Sequence, residues 1–114
     1  MNFRVRVETL CWGAQRASAA VLAACVLVHL ATILYAVRGG LTAAEILART
    51  RGSFGLALFY GTFVLAVAIH APLGLRTIAR ETFGWRGAGL DIAVAALAAF
   101  FVWSGWRAIG GLFG

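Results

Sequence analysis

Three long apolar runs, separated by short stretches that hold nearly all the charge, set out the chain. The first, Ala17 to Val37, has 21 residues and no formal charge. About 20 residues cross the hydrocarbon core of a bilayer, so this run predicts a membrane span. Arg16 and Arg38 close its two ends, and Gly39-Gly40 offers left-handed residues to stop the helix. Leu41 to Ser53 is too polar for the core. Its Thr42 and Glu45 form a capping box that starts a short helix, with Leu41, Ile46 and Leu47 in the interface and Arg49 and Arg51 reaching the headgroups. The second run is Phe54 to Leu75. Its Pro72 removes one backbone donor and deprives the Ala68 carbonyl of its helical partner. Thr77 to Asp91 is a charged connector in which Gly84, Gly87 and Gly89 predict a turn. The third run goes from Ile92 to about Trp106, extendable to Phe113, with Trp103 and Trp106 as an aromatic belt and Arg107 at the exit. The expectation is an all-α integral membrane bundle of three transmembrane helices in one domain, 1–114, with spans at about 17–37, 54–76 and 91–108.

Composition agrees. Hydrophobic residues make up 62% and charged residues 12%, against about 25% charged in a soluble domain. A soluble fold this small cannot hide so much apolar surface, whereas lipid is itself an apolar solvent. All ten basic residues are Arg, and the formal charge is +6. They form no basic stripe but sit at the ends of apolar runs, which excludes nucleic acid as the partner and fits snorkelling to lipid headgroups. Cys11 and Cys25 match no metal spacing and form no disulfide framework; Cys25 reads as a small core filler. Residues 1–16 lack the apolar core and cleavage site of a signal peptide, so the first span is expected to be retained. Arg4, Arg6, Arg16, Arg76, Arg80 and Arg86 fall on one side and Arg38, Arg49, Arg51 and Arg107 on the other. The excess places the N-terminus in the cytoplasm.

His29 and His70 are the candidate chemistry. An ionisable side chain in a span needs a partner. A neutral imidazole can hydrogen-bond to a carbonyl, or ligate a metal or haem iron. A proton relay calls for further acids within the spans, and there are none. Counted from Arg16 and Arg76, His29 lies roughly 20 Å and His70 roughly 9 Å from the same end, an offset of roughly 10 Å. That offset argues against one haem clamped by both within one chain. Two ligands would serve two haems, each completed by another chain. Ala66 and Gly74 flank His70 one turn away and can clear room for a flat ring, or for a neighbouring helix. Cys25 and Ile33 leave a less open surface around His29.

The stretch His70-Ala71-Pro72-Leu73-Gly74-Leu75-Arg76, with Glu81 beyond it, resembles the second span of the cytochrome b membrane-anchor subunit of succinate dehydrogenase and fumarate reductase. That family shows H-x-x-x-G-[IL]-R with an acid several residues later. Gln15-Arg16-Ala17-Ser18-Ala19 is similar to the family's H-R-x-S-G, with Gln15 for His and Ala19 for Gly. The three-span layout matches too, so the resemblance covers most of the chain.

The resemblance implies a role for each matching residue. His70 would be the axial ligand of a proximal haem b, and His29, deep in the first span as in two-haem members, that of a distal one. Arg16, Ser18 and Trp12 would face a quinone, and Arg16 and Arg76 haem propionates. Arg76 and Glu81 can equally be ordinary interfacial charge. The chain would be part of a larger multi-subunit helical bundle. Its partners would be a flavoprotein subunit carrying FAD, an iron–sulfur subunit, and a second three-span anchor sharing two haems. A homodimer also supplies four histidines. Without a dinucleotide fingerprint or cysteine cluster, the chain would be a non-catalytic subunit that passes electrons between the peripheral subunits and a quinone, in the bacterial inner (cytoplasmic) membrane. A haem-free anchor, or the membrane subunit of another respiratory enzyme, stays open.

Overall fold

The structure, a computed structural model, describes residues 2–114. Four helices follow one another: α1 (Phe3–Arg38), α2 (Ala43–Thr50), α3 (Phe54–Thr82) and α4 (Ala88–Phe113). α1, α3 and α4 are each long and apolar enough to cross a membrane. The longest dimension is 53 Å, enough for the roughly 40–45 Å of a bilayer with its headgroups and a short protrusion.

The helices run further than the apolar runs alone suggested. α1 starts at Phe3, where the Asn2 side chain accepts the Arg4 N–H at 3.1 Å. Nothing from there to Arg16 breaks a helix, so 36 residues wind without interruption, roughly 54 Å of rod. The connector expected over Thr77–Asp91 shrinks to 83–87. No residue before Gly84 forces a turn; Gly84 and Gly87 then take positive φ of 66° and 102°, while Gly89 lies inside α4. Arg76, Arg80 and Glu81 therefore stand on α3, and Asp91 on the first turn of α4. Pro72 is fully buried inside α3.

The turn between α1 and α2 follows the expected chemistry. Of the two glycines, Gly40 takes the left-handed conformation and Gly39 stays right-handed. Gly40 N–H reaches Val37 O at 3.2 Å and Leu41 N–H reaches Ala36 O at 3.0 Å, the paired bonds of a Schellman motif. Thr42 and Glu45 close both halves of the capping box.

α3 is the central element, packed on α1 and on α4. α1 and α3 run antiparallel, with Gln15 against Gly74, Ser18 against His70 and His29 against Tyr60. Gly105 of α4 lets Val64 of α3 come into contact; a Cβ there would collide with the Val64 side chain. The far end of α4 is tied to α2 and the turn after it by Thr50 Oγ1–H to Leu112 O at 2.9 Å and Gly52 N–H to Phe113 O at 3.3 Å. Cys25 is buried, as expected of a core filler. Large apolar side chains on all three spans, Leu27, Leu65 and Ile92 among them, remain exposed. They are the lipid- or subunit-facing surface that a bilayer solvates.

The Gly105–Val64 contact yields a stability prediction. Gly105→Ala should destabilise the packing of α4 on α3 by about 1–3 kcal/mol through overpacking, seen as a lower melting temperature in detergent. Gly110→Ala, where an added Cβ meets nothing, should not lower it.

Candidate functional site

The N-terminal turns of α1 and the last turns of α3 enclose a cleft of about 520 Å³, within the usual range of small-molecule sites, roughly 300–1,000 Å³. Trp12, Gln15 and Arg16 line it from α1, Arg76, Arg80 and Glu81 from α3, and Arg86 from the turn between α3 and α4. The structure thus brings together Trp12, Arg16, Arg76 and Glu81, all singled out from the sequence. The Arg16 guanidinium sits 5.1 Å from the centre of the Trp12 ring, a cation–π contact that occupies one indole face.

Ser18 does not line this cleft. It is 5% exposed, wedged between α1 and α3. Its hydroxyl donates to Gln15 O at 3.0 Å and stands 3.5 Å from His70 Nδ1. A hydroxyl has one proton to give. With that proton on the Gln15 carbonyl, Ser18 Oγ accepts from His70 Nδ1–H. That tautomer leaves the lone pair on Nε2, which has no hydrogen-bond partner among the described residues.

His29 also pairs with a hydroxyl, on a residue the sequence reading missed. Its Nδ1 lies 3.1 Å from the Tyr60 hydroxyl. Tyr60 and Phe63 both meet the imidazole edge-on, with centroids at 5.6 and 5.7 Å. Both histidines are half-buried within this chain, so each ring keeps a face open to whatever packs alongside.

The levels of the two histidines differ, as expected, by more than counting from the arginines gave. Ser18, level with His70, is eleven residues before His29 on α1; Tyr60, level with His29, is ten before His70 on α3. Either count gives an axial offset of roughly 15 Å. Counting from Arg16 and Arg76 assumed that the two arginines share a level. Gln15 faces Gly74, so Arg76 sits nearly a turn further out than Arg16. Ala66 and Gly74 do not clear room for a ring. Ala66 is buried in the packing, and the space a Cβ would take at Gly74 holds Gln15 Nε2 at 3.1 Å. The helix-packing reading of these small residues is the one observed.

Three ion pairs hold this end together, and pairing across helices is what sequence reasoning could not assign. Glu8 of α1 binds Arg80 through both oxygens at 2.9 Å and Arg76 at 3.2 Å. Arg76 Nε also donates to Asp91 of α4 at 3.3 Å. Arg76 thereby joins all three spans and is 17% exposed. Glu8 lies outside the apolar run of α1. The Arg76 guanidinium, with Arg80 beside it, holds the Glu8 carboxyl below its ordinary range against an opposing cost of desolvation. Gln15 Oε1, one of the cleft's neighbours, is buried without a hydrogen-bond partner among the described residues, an acceptor ready for a donor.

Residues 2–105 match the family model described as succinate dehydrogenase/fumarate reductase transmembrane subunit. The chain belongs to this family. No curated protein and no solved structure matches it. As a family member it is a multi-pass membrane subunit of the succinate dehydrogenase/fumarate reductase complex, with further subunits as partners.

The Glu8 pairs give a pH prediction for this anchor. A carboxyl with a lowered folded pKa stabilises fully above its ordinary value of 4.5, and that contribution fades as pH falls through the folded value. Wild type should therefore be more stable than Glu8→Gln at pH 7, and the difference in melting temperature should shrink on acidification below about pH 4.5. A difference independent of pH would contradict the pairing.

Proposed function

We propose that this chain is the haem-bearing, quinone-facing anchor of a succinate:quinone oxidoreductase, carrying electrons between an iron–sulfur subunit and a quinone. The carrying observation is that both histidines engage Nδ1 with a hydroxyl and leave Nε2 unengaged. That is how a haem-ligating imidazole is held, with the non-ligating nitrogen fixed by an outer partner. The residues present fit haem b at each histidine, His70 as proximal ligand and His29 as distal ligand. Bound haem would supply reversible one-electron transfer through its iron. The chain's own work is to fix the two imidazoles roughly 15 Å apart in level and to keep water from them. The opposite axial ligands would come from a second three-span anchor.

The cleft supports the quinone role. Arg16 lines it with its charge unpaired by any acid among the described residues. A guanidinium there can polarise a quinone oxygen or pair with a propionate. Trp12 holds Arg16 in place from below, and Gln15 Oε1 can accept the O–H of the reduced quinone. Arg76 is committed to Glu8 and Asp91, so the propionate role falls first to Arg16 and Ser18 serves His70. FAD and iron–sulfur clusters would reside in the flavoprotein and iron–sulfur subunits. The arginine distribution supports an N-terminus on the cytoplasmic side of a bacterial inner membrane, with the cleft on the same side as those subunits.

The test is a reduced-minus-oxidised spectrum of the complex purified with a flavoprotein and an iron–sulfur protein. Two b-type components should appear, one lost in His70→Ala and the other in His29→Ala. A complex with no b-type signal sinks the proposal in favour of a haem-free anchor. Tyr60→Phe should raise the midpoint potential of the component that His29→Ala removes and leave the other in place. An Nδ1–H bond makes an imidazole a stronger donor, which favours ferric iron, and the phenylalanine removes it.

A further inference from the structure

A second lined groove lies at the opposite end of the molecule, between the last turns of α1 and the back of α2. It measures about 650 Å³ and is walled by Ala31, Leu34, Tyr35, Arg38, Leu41 and Arg49. Its shape is fixed by local chemistry. The Schellman turn at Gly39–Leu41 runs directly into the Thr42–Glu45 capping box, so no residue between α1 and α2 is free to vary its angle. The N–H groups of Gly39, Gly40 and Leu41 satisfy the carbonyls of Tyr35, Val37 and Ala36, which blunts the negative end of α1. Arg49 is held in turn: its Nη1 donates to the Tyr35 hydroxyl at 3.2 Å, and its guanidinium lies 5.8 Å from the Tyr35 ring centre. Arg38, in the last turn of α1, has no ion pair among the described residues.

Charge distinguishes this groove from the cleft at the other end. Among the described residues no carboxylate lines it. Glu45, the nearest acid in sequence, spends Oε2 on the Thr42 N–H at 2.8 Å. Two guanidiniums thus stand at the aqueous rim, where the apolar run ends. The wall running toward the membrane centre, Ala31 and Leu34, is apolar. A ligand complementary to both halves is anionic at one end and aliphatic at the other.

We propose that this groove binds an anionic phospholipid, with its phosphate between Arg38 and Arg49 and an acyl chain along Ala31 and Leu34. The site needs no haem or quinone, so it stands apart from the function proposed above. Tyr35 is its positioning residue, holding Arg49 toward the rim.

The protein isolated from membranes with its partner subunits tests this. It is stripped of lipid by detergent exchange and reconstituted into vesicles of equal parts phosphatidylglycerol and phosphatidylcholine. After re-extraction, retained lipid is counted by native mass spectrometry. Wild type should keep phosphatidylglycerol in preference to phosphatidylcholine. Arg38→Gln with Arg49→Gln should lower that retention at least about fivefold, since one basic residue at a membrane surface is worth roughly that factor. Arg51→Gln removes a charge from the same loop but outside the groove and should change nothing. Tyr35→Phe keeps both charges and should give a smaller loss. Equal retention of the two lipids, as expected if a partner subunit fills the groove, overturns the proposal. So does an equal loss in Arg51→Gln, which would mean general surface attraction. If the double variant fails to assemble, Arg38→Gln alone decides, and unchanged retention there is fatal.

Discussion

The antiparallel register of α1 against α3 is the constraint on which the site depends. Glu8 with Arg76 and Arg80, Gln15 with Gly74, Ser18 with His70 and His29 with Tyr60 follow one another along the two helices. Each advance along α1 is matched by an equal retreat along α3, as two rods with one fixed stagger require. Slipping by one turn, about 5.4 Å, would part Glu8 from its arginines, take Ser18 away from His70 and drive a side chain into the space at Gly74. The contacts therefore fix one another. The pairing of both histidines through Nδ1, their levels and the cleft between Trp12 and Arg76 all follow from that single stagger.

The two ends of the bundle handle charge differently. At the cleft end, Arg76 and Arg80 are neutralised by Glu8 and Asp91, and the pairs join three helices beside the cleft. Arg16 alone among the α1 and α3 cleft arginines stacks on an aromatic ring without an acid. At the other end, Arg38 and Arg49 border a groove with no carboxylate in its wall. Paired guanidiniums hold helices; unpaired ones at a rim are available to acceptors from outside the chain.

Much of the fold was legible because membrane helices announce themselves by length. Ala17–Val37 could only be a span, and Thr42-x-x-Glu45 folds into the capping box its spacing specifies. What was not legible came from other causes. Hydropathy marks where lipid begins, not where a helix does, so the fourteen residues of α1 from Phe3 to Arg16 and the length of α3 through Thr82 went unread. Tyr60 was invisible as a partner of His29 because the stagger between helices is set by packing, which one sequence does not display. The roles of Glu8 and Asp91 were hidden for the same reason. The small residues Ala66 and Gly74 were ambiguous by nature, since space cleared for a ring and space cleared for a helix call for the same side chains.

The stagger can be measured directly. In protein with Cys11 and Cys25 replaced by Ala, nitroxide labels go on exposed positions: Leu30 with Leu58 in one sample, Leu30 with Ile69 in another. The register described puts Leu30 and Leu58 at one level and Ile69 roughly 16 Å away along the bundle. Dipolar EPR should therefore give a clearly shorter distance for the Leu30–Leu58 pair. A Leu30–Ile69 distance equal to or shorter than that of Leu30–Leu58 would contradict the register, and with it the separation in level of His29 and His70.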